Sequence, residues 1–352
     1  MARFRNAIFR TAMEGMYFSG AHVLMRPVVG GVGTILTLHH VRPPRRDRFQ
    51  PNRLLEVTPG YFEAVVRRLR RSRIDLVSLD EMHRRMTERD FRRRFVCVTF
   101  DDGYRDTLQF AHPMLKRYEV PYAIYVATAF ADRIGEMWWL ALEAVIARNS
   151  MIGLRFEGQE RIVQCDSVAD KRQLFEELYW WLRRRETETE LRAMVRDLAA
   201  RHHVDIGAFC RELCMDWNEI AELAADPLVT IGAHTVNHPI LAKLTDSEVR
   251  SELENSAVVI AAATGHRPRH LAYPVGDTTS AGPREFRIAS ELGYKTAVTT
   301  RPGVIFKSHA DHLTALPRVS LNGEFQKPRY ARVLASGLAT GVWNGFRRLN
   351  VA

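Results

Sequence analysis

A short apolar segment that ends in two adjacent carboxylates constrains this chain most. Residues 96–100 (Val-Cys-Val-Thr-Phe) carry alternating apolar side chains, as in a buried strand. Asp101 and Asp102 follow at once, and from Thr107 onward apolar residues recur at helical spacing. Parallel α/β folds place their functional residues where a strand ends and a crossover helix begins. The segment therefore predicts a parallel α/β protein with a site at the carboxyl ends of its strands.

The two neighbouring carboxylates have two interpretations. Like charges this close are stable when a positive charge lies beside them, and a divalent metal ion would supply one. Alternatively, one Asp caps the following helix and the other is solvated, because Asp is a favoured N-cap residue.

A second segment favours the metal. His234 and His238 follow another apolar strand, residues 228–233, and stand four positions apart, so that one turn can aim both imidazoles at one ion. A lone histidine pair is more often structural, but here the acid pair ends another strand. One carboxylate of the Asp pair, together with His234 and His238, is therefore predicted to hold a metal and to leave coordination positions for water and substrate. Zinc is favoured, although iron, cobalt and nickel suit the same ligands.

Three segments in order resemble the motifs of the polysaccharide deacetylase family, a carbohydrate esterase family similar to chitooligosaccharide deacetylases. They are residues 99–103 (Thr-Phe-Asp-Asp-Gly), 234–238 (His-Thr-Val-Asn-His) and 271–276 (Leu-Ala-Tyr-Pro-Val-Gly), and the resemblance extends over residues 33–320. It implies a metal-dependent hydrolase that cleaves the amide bond of N-acetylated amino sugars in a glycan, with an O-acetyl substrate as the alternative.

The resemblance supports a division of roles among the site residues. Asp102 holds the metal, and Asp101, left free, is the predicted general base that takes a proton from the attacking water. The resemblance also implies that the backbone N–H of Val275 helps to hold the oxyanion. Tyr104 is placed with Val275 among the predicted contacts to the substrate or the oxyanion.

Two family residues have no clean match in this chain. The late histidine of a Leu-x-His setting is missing. His309 and His312 lie nearby, and His312 is taken as the general acid, with a surface-loop position as the alternative. The arginine of the third motif is displaced, and Arg318 on the last predicted strand is expected to brace Asp101 through a bidentate ion pair.

The first predicted strand, residues 34–41, ends in His39 and His40, where many family members have Tyr-His. His40 has two interpretations: it lines the site, or it is a buried, hydrogen-bonded histidine.

The remaining chain repeats the alternation of strand and helix. Seven or so β/α units predict an irregular (β/α)7-type barrel with its chemistry at the carboxyl ends of the strands. The alternation stops over residues 130–225, which are predicted to form a helical insertion between the two metal motifs. The predicted organisation is an N-terminal amphipathic helix and linker (1–32), the barrel (33–320) and a C-terminal amphipathic helix (321–352).

Charge narrows the possible partners. Of 352 residues 46% are hydrophobic and 26% charged, as in ordinary globular proteins, but the net charge of +10 favours an anionic partner. Phospholipid headgroups and acidic glycans fit this charge. No nucleic-acid partner is predicted, because no nucleic-acid-binding motif is present and aromatic residues are not interleaved with the basic runs.

Both ends of the chain are basic and amphipathic, over residues 3–19 and 329–349. Such a helix either lies on an anionic membrane surface or packs on the domain with its arginines in water. No secretory signal is recognised, no run of eighteen uncharged apolar residues occurs, and four cysteines do not make a disulfide framework. These features predict a cytoplasmic protein with peripheral contact to an anionic inner membrane surface.

Two other functions compete with glycan deacetylation. One is a deacylase of a small N-acyl or cyclic amide on the same fold. The other is a catalytically inactive, membrane-associated glycan-binding protein. The intact Asp-Asp and His-x-x-x-His segments argue against the inactive protein.

Overall fold

A computed structural model describes residues 2–156 and 159–348, without the side chains of residues 2–6, 155, 156, 159 and 160. The side chains of the first residues of the predicted N-terminal helix are therefore not described. Residues 349–352, at the end of the predicted C-terminal helix, lie outside the described residues. The strands are β1 Gly33–Leu38, β2 His40–Val41, β3 Glu56–Val57, β4 Asp75–Leu76, β5 Phe95–Phe100, β6 Tyr122–Val126, β7 Met151–Phe156, β8 Gln159–Gln164, β9 Val229–Ala233, β10 His270–Ala272, β11 Thr296–Pro302 and β12 Leu316–Ser320. The helices are α1 Ala2–Phe18, α2 Ala21–Leu24, α3 Arg26–Val29, α4 Pro59–Arg70, α5 Leu79–Thr87, α6 His112–Arg117, α7 Thr128–Ala131, α8 Trp138–Arg148, α9 Val168–Arg183, α10 Glu188–Arg201, α11 Ile206–Leu213, α12 Trp217–Ala224, α13 Asp246–Thr264, α14 Pro283–Glu291, α15 Pro328–Ala335 and α16 Leu338–Trp343.

Seven parallel strands close into a barrel. Their order is β1, β12, β11, β10, β9, β6 and β5, and β5 closes the ring by pairing with β1 along its whole length. The short strand β4 stays outside the ring and pairs with the first residues of β5, while β6 pairs with the last ones. The predicted (β/α)7-type barrel is confirmed.

Strand residues alternate between the barrel interior and the surrounding helices. In β5, Phe95 and Cys97 belong to an inner cluster with residues of five other barrel strands, whereas Val96, Val98 and Phe100 pack in the layer between strands and helices. Both faces of the strand are therefore buried, which explains its nearly continuous apolar sequence.

The insertion between β6 and β9 contains α8 to α12 and has its own apolar core. It also contains an antiparallel hairpin of β7 and β8, which the prediction of a helical insertion did not include. Ile152 and Leu154 are buried on β7.

The two ends of the chain pack against each other. The carboxylate of Glu14 on α1 accepts hydrogen bonds from Arg329 at 2.6 Å and from the hydroxyl of Tyr330 at 2.7 Å, both on α15. These contacts agree with the second interpretation of the N-terminal helix, in which it packs on the domain. The C-terminal region is not one helix, since α15 and α16 are separated at Gly337 by a left-handed turn (φ 83°) that glycine adopts at low cost.

Candidate functional site

The three predicted metal ligands meet beyond the carboxyl ends of β5 and β9. Nε2 of His234 and Nε2 of His238 each lie 3.4 Å from Oδ1 of Asp102. The three ligand atoms all lie within 4.8 Å of one another, and all three side chains are buried. The fold thus brings together residues that are far apart in the sequence.

Local backbone conformation aims these side chains at one point. Asp102 (φ 70°), Thr235 (φ 65°) and His238 (φ 54°) adopt the left-handed region, which is uncommon for non-glycine residues. The turn at Asp102 matters because strand alternation alone would direct its side chain outward, as it does that of Phe100. The Thr235 hydroxyl accepts a 3.0 Å hydrogen bond from the backbone N–H of His238 and closes the turn between the histidines.

Contacts on their far sides hold both imidazoles. Nδ1 of His234 lies 2.7 Å from the carbonyl oxygen of Ala272, the last residue of β10. A carbonyl can only accept, so Nδ1 donates and Nε2 faces Asp102. The ring of His238 packs against those of Phe130 and Trp139, at centroid distances of 5.6 and 5.0 Å. Trp139 belongs to α8, so the insertion supports the site.

Burial and mutual charge set the protonation of this cluster. Burial would raise the pKa of Asp102, but the contact with His234 and the charge of His238 outweigh it and hold that pKa well below its usual range. Burial lowers the pKa of His238 to about 3. Burial would also lower the pKa of His234, but the neighbouring carboxylates outweigh it and raise that pKa.

The cluster fits a divalent metal. Oδ1 of Asp102 is buried and has no hydrogen-bond partner in the described part of the chain, a costly state for a carboxylate oxygen unless a cation binds it. Zinc holds such nitrogen and oxygen ligands at about 2.0–2.2 Å, so two of them on a tetrahedral ion lie roughly 3.4 Å apart. Oδ1 of Asp102 has that separation from Nε2 of each histidine.

Asp101 lies beside the cluster, where Arg318 of β12 holds it. Two guanidinium nitrogens of Arg318 donate to the two carboxylate oxygens of Asp101, each at 2.7 Å, and both residues are 1% exposed. Nε of Arg318 donates to the carbonyl oxygen of Thr299 at 2.8 Å. Burial would raise the pKa of Asp101, but Arg318 outweighs it and the pKa lies below its usual range. Asp101 is therefore ionised at neutral pH.

His39 faces the carboxylate of Asp101, although it was not among the predicted site residues. Its Nε2 lies 3.9 Å from Oδ2 of Asp101, and its side chain is 21% exposed. Burial lowers its pKa. Strand alternation could have predicted this position. Ile35 packs in the barrel interior and the Thr37 hydroxyl contacts Asp101, and His39 lies on the same face of the chain two residues later.

His40 and Tyr104, which follows Asp102 by two residues, form a buried pair. Nδ1 of His40 lies 2.6 Å from the carboxylate of Asp106, and its ring stacks on Tyr104 at a centroid distance of 3.6 Å. His40 is thus the buried, hydrogen-bonded histidine of the two interpretations. Tyr104 is fully buried and leaves no surface for a glycan to touch, so the structure does not support its predicted contact with substrate.

Val275 lies in the loop after β10, at the same end of the barrel as the metal ligands. Its φ of 61° is unfavourable for a β-branched residue and marks local strain. The Thr300 hydroxyl donates to the carbonyl oxygen of Val275 at 2.7 Å and holds the loop.

His309 and His312 lie at the other end of the barrel. They precede β12, and the backbone N–H of Ala297, near the start of β11, donates to the carbonyl oxygen of Leu313 at 2.9 Å. This segment therefore borders the amino ends of the strands, whereas Asp101 follows a carboxyl end. The placement removes His312 as general acid, because proximity in sequence to β12 does not bring a residue to the end of that strand where Asp101 lies.

A comparison with protein families matches residues 170–297 to the family described as Polysaccharide deacetylase. The matched residues include His234 and His238 but not Asp101 or Asp102. The match bears out the resemblance and, with it, the prediction of a hydrolase of the polysaccharide deacetylase type. A comparison with curated protein sequences found no match.

Solved structures share the fold. The Streptococcus pyogenes deacetylase PplD, in complex with acetate, matches with a TM-score of 0.54 and 17% identity, over 82% of this chain and 92% of that one. A polysaccharide deacetylase from Bacillus cereus matches with a TM-score of 0.54 and 17% identity, over 86% of this chain and 68% of that one. At such identities the likeness shows the fold alone.

Proposed function

We propose that this chain is a metal-dependent deacetylase that hydrolyses the acetamide of N-acetylated amino sugars in a glycan. The observation that carries the proposal is the convergence of Asp102, His234 and His238 on one point, with the ionised carboxylate of Asp101 beside them. The family match and the acetate held by the S. pyogenes deacetylase support the reaction, since acetate is its product.

Asp102, His234 and His238 would hold the metal, for which the nitrogen and oxygen ligands favour zinc. When bound, such an ion polarises the acetyl carbonyl and lowers the pKa of water. Asp101 takes the proton of the attacking water as general base, and Arg318 is a positioning residue that fixes both of its oxygens. The backbone N–H of Val275 is proposed to donate to the oxyanion.

We propose His39, in place of His312, as the residue that returns a proton to the leaving amine. It is the histidine whose Nε2 lies near Asp101, at 3.9 Å, while part of its side chain remains accessible. The proton that Asp101 removes from water passes to His39 and from there to the amine nitrogen when the C–N bond breaks. His39 is thus neutral at the start of the cycle, in agreement with the lowering of its pKa by burial.

The test measures acetate release from chitooligosaccharides together with bound metal. The Asp101→Asn variant should keep its metal and lose about 10²–10⁴-fold in kcat, whereas His234→Ala should lose both metal and activity. His266→Ala, at an exposed histidine far along the chain, is the matched control and should change neither. Undiminished turnover in Asp101→Asn would remove that residue from its role.

The competing functions give different results in the same assays. Faster turnover of simple acetamides than of oligosaccharides would favour a small-amide deacylase. Much less than about one equivalent of divalent metal in the purified protein would favour an inactive glycan-binding protein.

We also propose a cytoplasmic location with peripheral contact to an anionic membrane surface. Across residues 2–156 and 159–348, no helix combines the length and apolarity needed to cross a bilayer. All four cysteines are unpaired and buried, as is usual in reducing compartments.

A further inference from the structure

A cavity of about 270 Å³ lies between the N-terminal helices α2 and α3, helix α4 and helix α15. Five arginines and one histidine line it, together with apolar side chains and two serines, and no lining residue is acidic. The arginines and the histidine of this basic cavity are Arg26, Arg68, Arg71, Arg94, Arg332 and His22.

The guanidinium groups of the basic cavity have no carboxylate partners in the described part of the chain. Arg68 donates to the hydroxyl of Tyr17 at 3.2 Å, and Arg94 donates to the carbonyl oxygen of Ala335 at 3.0 Å. Arg94 is half-buried, and the other four arginines are exposed at the rim of the cavity. Several cations gathered without a counter-charge repel one another, and an anion in the cavity relieves that repulsion.

Buried donors in the cavity wall lack acceptors. Nε and Nη1 of Arg94 and Nε2 of His22 are buried without a hydrogen-bond partner among the described residues, and His22 is 6% exposed. Burial, together with the charge of Arg26, lowers the pKa of Arg94 to about 10. A planar guanidinium with free donors suits the several oxygens of a phosphate group.

The basic cavity is separate from the metal ligands. Arg94 immediately precedes β5 and Asp101 immediately follows it, so the two lie roughly 20 Å apart along a strand that rises about 3.3 Å per residue. The cavity therefore borders the amino end of the barrel, opposite the proposed reaction.

Exposed apolar side chains accompany this cavity. Val23, Leu24 and Val28 on α2 and α3 are 48%, 76% and 66% exposed, and Trp343 and Phe346 at the C-terminal end are 60% and 58% exposed. Val28 and Phe346 border a second cavity of about 230 Å³, whose charged lining residues are the basic Arg347 and Arg348. Apolar side chains that protrude among basic ones are typical of surfaces that bind anionic membranes.

We propose that this end of the molecule is a membrane-binding face, in which the basic cavity holds the phosphate of an anionic phospholipid while Leu24, Val28 and Phe346 enter the interfacial region of the bilayer. An anionic lipid is favoured because the five arginines have no carboxylate partner among the described residues. A membrane lipid is favoured over a phosphate free in solution because apolar side chains are exposed beside these arginines. The carboxyl end of the barrel then faces away from the bilayer. This inference does not depend on the reaction proposed above.

The test is flotation of the full-length protein with vesicles of phosphatidylcholine, alone or with phosphatidylglycerol at about a third of the lipid. The protein should bind the anionic vesicles and not the neutral ones. The triple variant Arg26→Gln, Arg68→Gln, Arg332→Gln should bind on the order of a hundredfold more weakly, since each surface arginine contributes about fivefold. Retained binding by this variant, or no binding by the unaltered protein, overturns the proposal.

A matched triple variant separates the basic cavity from net charge. Arg148→Gln, Arg161→Gln and Arg184→Gln remove three exposed arginines of the insertion and should leave vesicle binding within about twofold, because they lie outside the proposed face. An equal loss of binding in this control contradicts the proposal. Both triple variants should keep the thermal midpoint and the acetate release from soluble oligosaccharides, so membrane binding and deacetylation are scored independently.

Two further measurements identify the source of the phosphate. Leu24→Ser with Phe346→Ser should weaken vesicle binding, because apolar insertion contributes with the arginines. Inorganic phosphate should raise the thermal midpoint little. If it stabilises the unaltered protein strongly through the basic cavity while anionic vesicles do not bind, the site takes a free phosphate and the membrane assignment is wrong.

Discussion

Replacing Arg318 with methionine should destabilise the protein strongly at neutral pH. The guanidinium group makes two 2.7 Å hydrogen bonds to Asp101 and one of 2.8 Å to the Thr299 carbonyl oxygen, and it is almost fully buried. Removing one partner of such a pair leaves an uncompensated buried charge, which costs about 3–5 kcal/mol of unfolding free energy. Methionine keeps an unbranched side chain of similar reach, so the loss reports mainly on the charge.

The size of this loss should depend on pH. In the unaltered protein the pKa of Asp101 is depressed, so the pair contributes stability that is fully present above the unfolded-state pKa, near about 4, and is lost as pH falls through the lower folded-state value. In the variant the main influence that lowers the pKa of Asp101 is gone and only the weaker effects of His39 and His234 oppose burial, so that pKa is higher than in the unaltered protein. The destabilisation should therefore shrink as the pH falls and Asp101 becomes protonated, and the acid limb of the pH–activity profile should move to higher pH.

Guanidinium denaturation followed by tryptophan fluorescence measures this difference at pH 5 and pH 8. The double variant Asp101→Asn, Arg318→Met should recover much of the stability, because it removes both charges. Arg267→Met, which breaks an exposed pair with Glu254, is the control and should cost about 1 kcal/mol or less. An Arg318→Met variant as stable as the unaltered protein, or a loss that grows at low pH, would refute the reasoning.

Two further predictions concern the rest of the site. His39→Ala should lower kcat about 10²–10⁴-fold with little change in metal content, whereas His312→Ala should leave kcat within about twofold because it lies at the amino end of the barrel; equal effects in steady-state kinetics would contradict the assignment. Val275→Gly should change the unfolding free energy by no more than about 1 kcal/mol, because relief of a left-handed valine offsets the lost packing of its side chain, and it should keep activity because the backbone N–H remains. Thermal denaturation and acetate release measure both, and a loss of activity at full stability would assign the role to the valine side chain instead.

Local patterns predicted most of the architecture. The alternating residues of β5 marked a strand buried on both faces, and the repeated strand and helix signals indicated a parallel barrel whose chemistry lies at one end. The hairpin of β7 and β8 was not predicted, because the short alternation of Ile152, Leu154 and Phe156 lies within a long segment rich in helix formers. The prediction of a single C-terminal helix was wrong. Gly337 adopts a left-handed conformation inside an otherwise continuous amphipathic pattern and divides the segment into α15 and α16.

Residue types and their spacing in sequence were sufficient to propose Asp102, His234 and His238 as ligands, because acids and histidines at strand ends suit a metal wherever a parallel fold gathers those ends. Which histidine serves Asp101 depended on tertiary structure. His39 and His40 are neighbours in sequence, yet one faces Asp101 and the other pairs with Asp106. The physical reason is that periodicity specifies the face on which a side chain lies, whereas the closing of the barrel decides which groups share that face and at which end. The same holds for the basic cavity, whose arginines come from α3, the α4 region, the residue before β5 and α15, and acquire a common ligand chemistry only when packing brings them together.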